Sequence, residues 1–201
     1  MPISREPVVD LTESLIESRT LLEGGFLEVR KDLVRLPDGK TATREYIVHP
    51  GAVAVIPLLD DGRAVTVRQY RYPLGQLLLE YPAGKRDPGE SAWVCAMREL
   101  TEETGYTARQ WARGGTFHNA AAYATERIEI WFARGLEPGP QRLDEGEFVE
   151  VLEFELDELE SLAVQGDLTD AKTLIGTQWW RQWREGRWPL HWQDAADLRG
   201  L

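Results

Sequence analysis

Gly84-Lys-Arg-Asp-Pro-Gly-Glu90-Ser-Ala-Trp-Val-Cys-Ala-Met-Arg98-Glu99-Leu100-Thr-Glu102-Glu103-Thr-Gly105-Tyr106 is the one long helical pattern in the first two thirds of this chain. Ser91 is placed to cap a helix, Trp93, Ala96, Met97 and Leu100 form its apolar stripe, and Gly105 ends it. On that helix Glu99, Glu102 and Glu103 share one face, because residues three and four apart are neighbours. Three clustered carboxylates repel one another unless a hard divalent cation neutralises them. Oxygen-only ligands suit Mg²⁺ or Mn²⁺. A solvated acidic face would be the reading for three glutamates in isolation. Their setting in a fixed Gly, Glu and Arg spacing favours phosphate chemistry with a metal.

Outward from this helix the pattern is strand-rich. Phe26–Leu36 and Thr41–Val48 read as a hairpin around the turn signal Pro37-Asp-Gly39. Ala52–Leu59 is continuously apolar, as suits a strand buried on both faces. Asp60-Asp-Gly62 turns the chain into Ala64–Tyr70, and Leu77–Tyr81 follows. Beyond the helix, strands are expected at Ala108–Phe117, Arg127–Ala133 and Phe148–Phe154, with helices at Leu156–Gln165 and from Asp170 to about Trp183. A short helix is expected at Leu11–Leu22. The order of elements is α+β.

With 201 residues the chain is within single-domain range. A net charge of −11 and no basic stripe exclude a nucleic-acid backbone as partner. No apolar run is long enough for a membrane span, and the N-terminus lacks an apolar signal core. Cys95 is the single cysteine, so neither a disulfide nor a thiolate zinc site is expected. A cytoplasmic setting fits these features. Trp179, Trp180 and Trp183 sit at helical spacing and read as packing residues. His49, His118 and His191 lack companions in sequence and receive no role.

The central segment resembles the Nudix box: Gly, five residues, Glu, seven residues, then Arg-Glu-aliphatic-x-Glu-Glu-x-Gly. Gly84, Glu90, Arg98, Glu99, Leu100, Glu102, Glu103 and Gly105 match it. Tyr106 departs from the usual aliphatic residue. Val67-Arg-Gln-Tyr-Arg71, Glu80-Tyr-Pro-Ala-Gly84, Asp144-Glu-Gly-Glu147-Phe-Val-Glu-Val151 and Asp170-Ala-Lys-Thr-Leu-Ile-Gly176 resemble the ADP-ribose pyrophosphatase branch, which cleaves nucleoside diphosphate sugars.

The resemblance implies an α/β/α sandwich with a small N-terminal β-sheet used in dimerisation. Residues 1–50 would form that subdomain and 51–201 the hydrolase domain. It implies Mg²⁺, with Mn²⁺ as the alternative, held by Glu99, Glu103, the Ala83 carbonyl, Glu102 and Glu147. The general base would lie in the loop 143–147, with Glu147 and Glu145 as competing candidates. Arg71 is the candidate clamp for the diphosphate, Arg44 and Glu45 are expected from their placement to touch the base or terminal sugar across a dimer, and the resemblance of Thr125-Glu126-Arg127 implies that Glu126 helps bind metal or substrate. Gly84, Glu90, Arg98 and Gly105 would be structural supports. The segment 116–126 lacks the proline loop common in ADP-ribose hydrolases. GDP-mannose and other nucleotide sugars therefore stay open as substrates beside ADP-ribose. A nucleotide-sensing protein without catalysis, and a hydrolase of nucleoside triphosphates or dinucleoside polyphosphates, are the competing classes.

Overall fold

The structure, a computed structural model, describes residues 9–198. Its contacts divide the chain into two compact units: the chain through His49 together with Ala120–Glu126, and Pro50–Asn119 together with the chain from Arg127 onward.

The first unit is a three-stranded antiparallel sheet, β1 (Ser14–Glu23), β2 (Glu28–Arg35) and β3 (Thr41–Val48), in that order. The hairpin β2–β3 turns as the sequence predicts, with Gly39 at a φ of 83°. Ala120–Glu126 joins it through two backbone hydrogen bonds of 2.9 Å, Ile47 N–H to the Tyr123 carbonyl and Thr125 N–H to the Ile47 carbonyl. The helix expected at Leu11–Leu22 is not formed; most of that segment is β1. Its register against β2 shifts between Leu15 and Glu17 and again between Thr20 and Leu22. Each irregularity breaks the period of two, so apolar residues fall in adjacent pairs that imitate helical spacing. All ten residues of β1 are exposed, Leu15, Ile16, Leu21 and Leu22 included.

The second unit is built on a mixed sheet. Its main path runs β10 (Val149–Phe154), β5 (Ala64–Arg71), β4 (Ala52–Leu58), β9 (Arg127–Glu137), β8 (Thr107–His118) and β11 (Gln193–Asp194). β6 (Gln76–Glu80) adds to β5, and the short β7 (Ala83–Lys85) adds to β4. A 3-10 turn (Tyr72–Leu74) separates β5 from β6. The sequence did not signal β7, β11 or the short α4 (Ala195–Leu198), each too brief to show a period.

β4 is buried on both faces, and its alternation assigns the layers. Val53 and Val55 point to α1 (Ala92–Thr104), where they meet Trp93, Cys95, Ala96 and Leu100. Ala54, Ile56 and Leu58 point the other way, to Leu156 and Leu159 of α2 (Leu156–Gln165) and Trp180 of α3 (Ala171–Arg184). This unit is therefore an α/β/α sandwich, as expected.

Local chemistry sets the helix ends. The Ser91 hydroxyl accepts from Val94 N–H and Gly105 closes α1 at a φ of 76°. Gly105 also lies against the Gly139 carbonyl, where a Cβ would overlap it. Asp170 caps α3 by accepting from Thr173 N–H at 2.9 Å. Trp180 is 1% exposed at the centre of the α2–α3 layer. Trp180→Ala should lower unfolding free energy by about 3–5 kcal/mol in urea denaturation; a loss below about 1 kcal/mol would show that this layer is not close-packed.

Candidate active site

The box residues meet where β7 crosses the face of α1. The Glu103 carboxylate accepts Ala83 N–H at 3.0 Å, which ties the helix to the strand. The Glu99 carboxylate fills the space over Gly84, where a Cβ would overlap it. Only glycine fits at that position, and this is the physical content of the first box residue.

Arg98 organises the opposite edge. Its Nε and Nη2 each donate to Glu90 at 3.0 Å, while Nη1 donates to Glu99 at 2.7 Å and to Glu102 at 2.9 Å. Nη2 also reaches the Lys85 carbonyl at 3.0 Å. One guanidinium thus contacts three carboxylates and the strand behind them. Cys95 lies buried under this cluster, and burial pushes its thiol well up, so it is an inert packing group.

Glu99 and Glu103 are 9% and 5% exposed. Burial lifts Glu99 to about 7, with the charges of Glu102 and Glu147 adding to the rise. Burial lifts Glu103 to about 8, with Glu99 and Glu147 adding. Glu147 itself is exposed; the segment that leads into its loop is tied to α1, with Arg142 N–H donating to the Glu102 carbonyl at 2.9 Å and the Gln141 amide donating to the Glu103 carbonyl at 2.6 Å. Glu145 is not among the principal charges acting on Glu99 or Glu103.

Oxygen donors packed this closely disfavour their own ionisation. A hard divalent cation would relieve that cost, so the donor set fits Mg²⁺ or Mn²⁺ chemically. Among the described residues no three acidic, histidine or cysteine side chains stand together in ligating geometry. Arg98 holds Glu102 beside Glu99 through a shared Nη1 instead.

Arg71 lies beside this cluster, close enough for the Glu103 charge to act on it. Its Nε and Nη2 donate to Glu80 at 2.7 and 2.6 Å. Glu80 is thus its fork partner, and the Nη1–Nη2 end of the guanidinium is the part left for a phosphate. Glu80 also accepts from Lys172, which in turn donates to Asp170 at 3.0 Å. Glu80 and Lys172 are 1% and 9% exposed. Burial works to raise the Glu80 pKa, but Arg71 and Lys172 overcome it and hold the group below its ordinary value.

Sequence reasoning quoted Glu80 and Lys172 within motifs without giving them roles. The available signal was Glu80 itself, a carboxylate two residues after Leu78 on the buried face of a strand. Arg44 and Glu45 lie on β3 of the first unit. Arg44 pairs with Glu13, and Glu45 with Lys31 at 2.5 Å. Glu126, also in the first unit, lies 3.5 Å from the His49 imidazole.

A match to the NUDIX domain covers residues 48–174, and a match to the nucleoside diphosphate sugar hydrolase N-terminal domain covers residues 13–47. The chain belongs to the Nudix family and is a Nudix pyrophosphohydrolase. It is 37% identical over 171 residues to an ADP-ribose pyrophosphatase of Bacillus subtilis (strain 168), spanning 84% of this chain and 92% of that one. It is 39% identical over 169 residues to a methanol dehydrogenase activator of Bacillus methanolicus, spanning 83% and 91%. Among solved structures an ADP compounds hydrolase superposes with a TM-score of 0.78 at 24% identity, over 87% of this chain and 95% of that one, a likeness of fold. No helix among the described residues is long and apolar enough to cross a membrane.

Breaking the buried network should be costly. Glu80→Gln leaves Lys172 and Arg71 without their shared carboxylate and should destabilise by about 3–5 kcal/mol. Because the folded pKa of Glu80 is lowered, its contribution is present at neutral pH and is lost as pH falls through that lowered value. Urea midpoints followed from neutral into acid pH should therefore decline less steeply in Glu80→Gln than in the parent; parallel curves would refute the assignment.

Proposed function

We propose that the chain hydrolyses the diphosphate of nucleoside diphosphate sugars, with ADP-ribose the leading substrate and AMP and ribose 5-phosphate the products. The observation that carries this reading is the buried pair Glu99 and Glu103 under Ala83–Gly84, with Glu147 beside them and the Arg71–Glu80–Lys172 network at their edge. The name of the Bacillus subtilis relative and the match over residues 13–47 support the substrate class.

Glu99, Glu103 and the Ala83 carbonyl would hold Mg²⁺, with Mn²⁺ as the alternative and Glu102 as a further ligand. The cation supplies Lewis-acid neutralisation of diphosphate oxygens and a water of lowered pKa. Arg71 grips the diphosphate with the end of its fork that Glu80 leaves open. Glu147 accepts the proton of the attacking water, with Glu145 as the competing base in the same loop. Arg98 keeps Glu99 and Glu102 aimed, and Glu90 keeps Arg98 in place.

In the same reading residues 1–50 form a dimerisation subdomain, 51–201 the hydrolase domain, and the protein is a cytoplasmic homodimer. The exposed Leu15, Ile16, Leu21 and Leu22 of β1 supply apolar surface for the pairing. Arg44, Glu45 and Glu126 then contact the base, the sugar or the metal.

Glu99→Gln or Glu103→Gln should lower kcat by more than about 100-fold while leaving Tm unchanged or higher, since a neutral amide removes a buried repulsion. Turnover like that of the parent in either variant would remove the metal assignment. A panel of ADP-ribose, GDP-mannose, UDP-glucose, NADH and ATP, read by phosphate release after phosphatase treatment, tests the substrate class. Preference for ATP would overturn it.

Cation loading has its own signature. With Glu99 at about 7 and Glu103 at about 8, both groups hold protons near neutral pH, and a bound cation must displace them. Mg²⁺ titration by calorimetry in two buffers of different ionisation enthalpy should show net proton release near pH 7, reduced in Glu103→Gln. Identical heats in both buffers would contradict it.

A further inference from the structure

The second unit contains a cleft of about 730 Å³ that the proposed hydrolysis does not use. Arg109, Arg134 and Arg184 border it, with Trp183 and Leu58 as apolar wall and Asp60 as the only acidic residue. Register separates it from the box. Ala54 of β4 pairs with Ala83, beside the buried glutamates, whereas Leu58 pairs with Arg134. Four residues of strand put roughly 13 Å between the two positions.

The sequence has 34 acidic and 23 basic residues, so a guanidinium easily finds a carboxylate. Arg181, one turn before the end of α3, meets Asp157 and Glu160. Among the described residues neither Arg134 nor Arg184 has a carboxylate within 4.0 Å, and Arg109 only approaches Glu137 at 3.8 Å.

Arg134 is half-buried and held in place. Its Nε donates to Gln110 at 2.8 Å, and its guanidinium carbon lies 4.1 Å from the Trp192 ring centroid. Both contacts leave the Nη atoms for a ligand. Gly135, at a φ of 65°, makes room for Arg109, since a Cβ there would come within 3.0 Å of the Arg109 Nε. A guanidinium fixed by neutral partners rather than by acids, as Arg134 is, suits an incoming anion.

We propose that this cleft binds a nucleoside monophosphate, with Arg134 and Arg184 gripping the phosphate monoester and the Trp183–Leu58 wall covering the nucleoside. The volume is within the range of small-molecule sites, about 300–1,000 Å³, and is larger than a bare phosphate needs. The cleft is separate from the box, while the choice of a nucleoside monophosphate as its occupant rests on the proposed hydrolysis, which releases AMP.

The test is calorimetric titration of the full chain with AMP, adenosine and inorganic phosphate in EDTA, so that no cation-dependent binding at the box contributes. AMP should saturate, and adenosine and inorganic phosphate should bind much more weakly. Arg134→Gln and Arg184→Glu should each weaken AMP by about tenfold, or about 1.4 kcal/mol. Glu103→Gln should leave it unchanged. Arg184 is exposed on the last turn of α3, so Arg184→Glu decides the outcome if Arg134→Gln disturbs the fold. Absence of saturable AMP binding, unchanged affinity in Arg184→Glu, loss of binding in Glu103→Gln, or equal affinity for adenosine or inorganic phosphate would each overturn the proposal. Hydrolysis of ADP-ribose by Arg184→Glu at the parent rate is expected alongside, and its outcome is read separately from binding.

Discussion

The structure turns on the crowding of Glu99 and Glu103 against the strand Ala83–Lys85. Two carboxylates taken from water and set side by side is an unfavourable arrangement by itself. It persists because α1 is anchored from several directions: by Ser91 and Gly105 at its ends, by the apolar residues Trp93, Ala96 and Leu100 beneath it, and by Arg98 on its flank. The packing of the helix supplies the free energy that the repulsion costs. A small hard cation held between them would relieve the same repulsion.

A second constraint is the bond between β6 and α3. Glu80 is buried, and it stays ionised only because Arg71 and Lys172 meet it from two elements. Tyr81, the next residue, donates its N–H to the Thr173 hydroxyl at 3.0 Å and its ring packs against Gly176. The strand that carries Ala83 and Gly84 into the box is therefore registered on α3 a few residues earlier. A disturbance of Lys172 or Thr173 reaches the strand Ala83–Lys85 through covalent continuity rather than through space.

Much of this was legible in the residues. The box helix could be read to its caps, because Ser91 and Gly105 are strong terminators and the apolar stripe has an unbroken period. The hairpin turning at Gly39 was legible for the same kind of reason. β1 was not, because its two register shifts replace alternation with adjacent apolar pairs. Carboxylates on the helix showed themselves by spacing, whereas Glu80 and Lys172 lie 92 positions apart and meet only in the fold. No local pattern carries that meeting. The cleft arginines were silent for a further reason: their significance lies in the carboxylates they lack.

Positive charge is the scarce quantity in a chain with 11 more acids than bases, and its placement separates two tasks. Around the box Arg98 is matched to Glu90, Glu99 and Glu102, and Arg71 and Lys172 to Glu80. Matched charges stay in place and cost little to bury, which suits groups that must aim ligands at a cation and one face of a fork at a phosphate. At the other end of β4 Arg134 is steadied by an amide and an indole rather than by a carboxylate. An acidic protein repels anions at long range, by an amount that screening limits to about 10 Å at ordinary ionic strength. Within that distance uncompensated arginines dominate the local field. The chain can thus be acidic overall and still hold positive charge locally, away from the box.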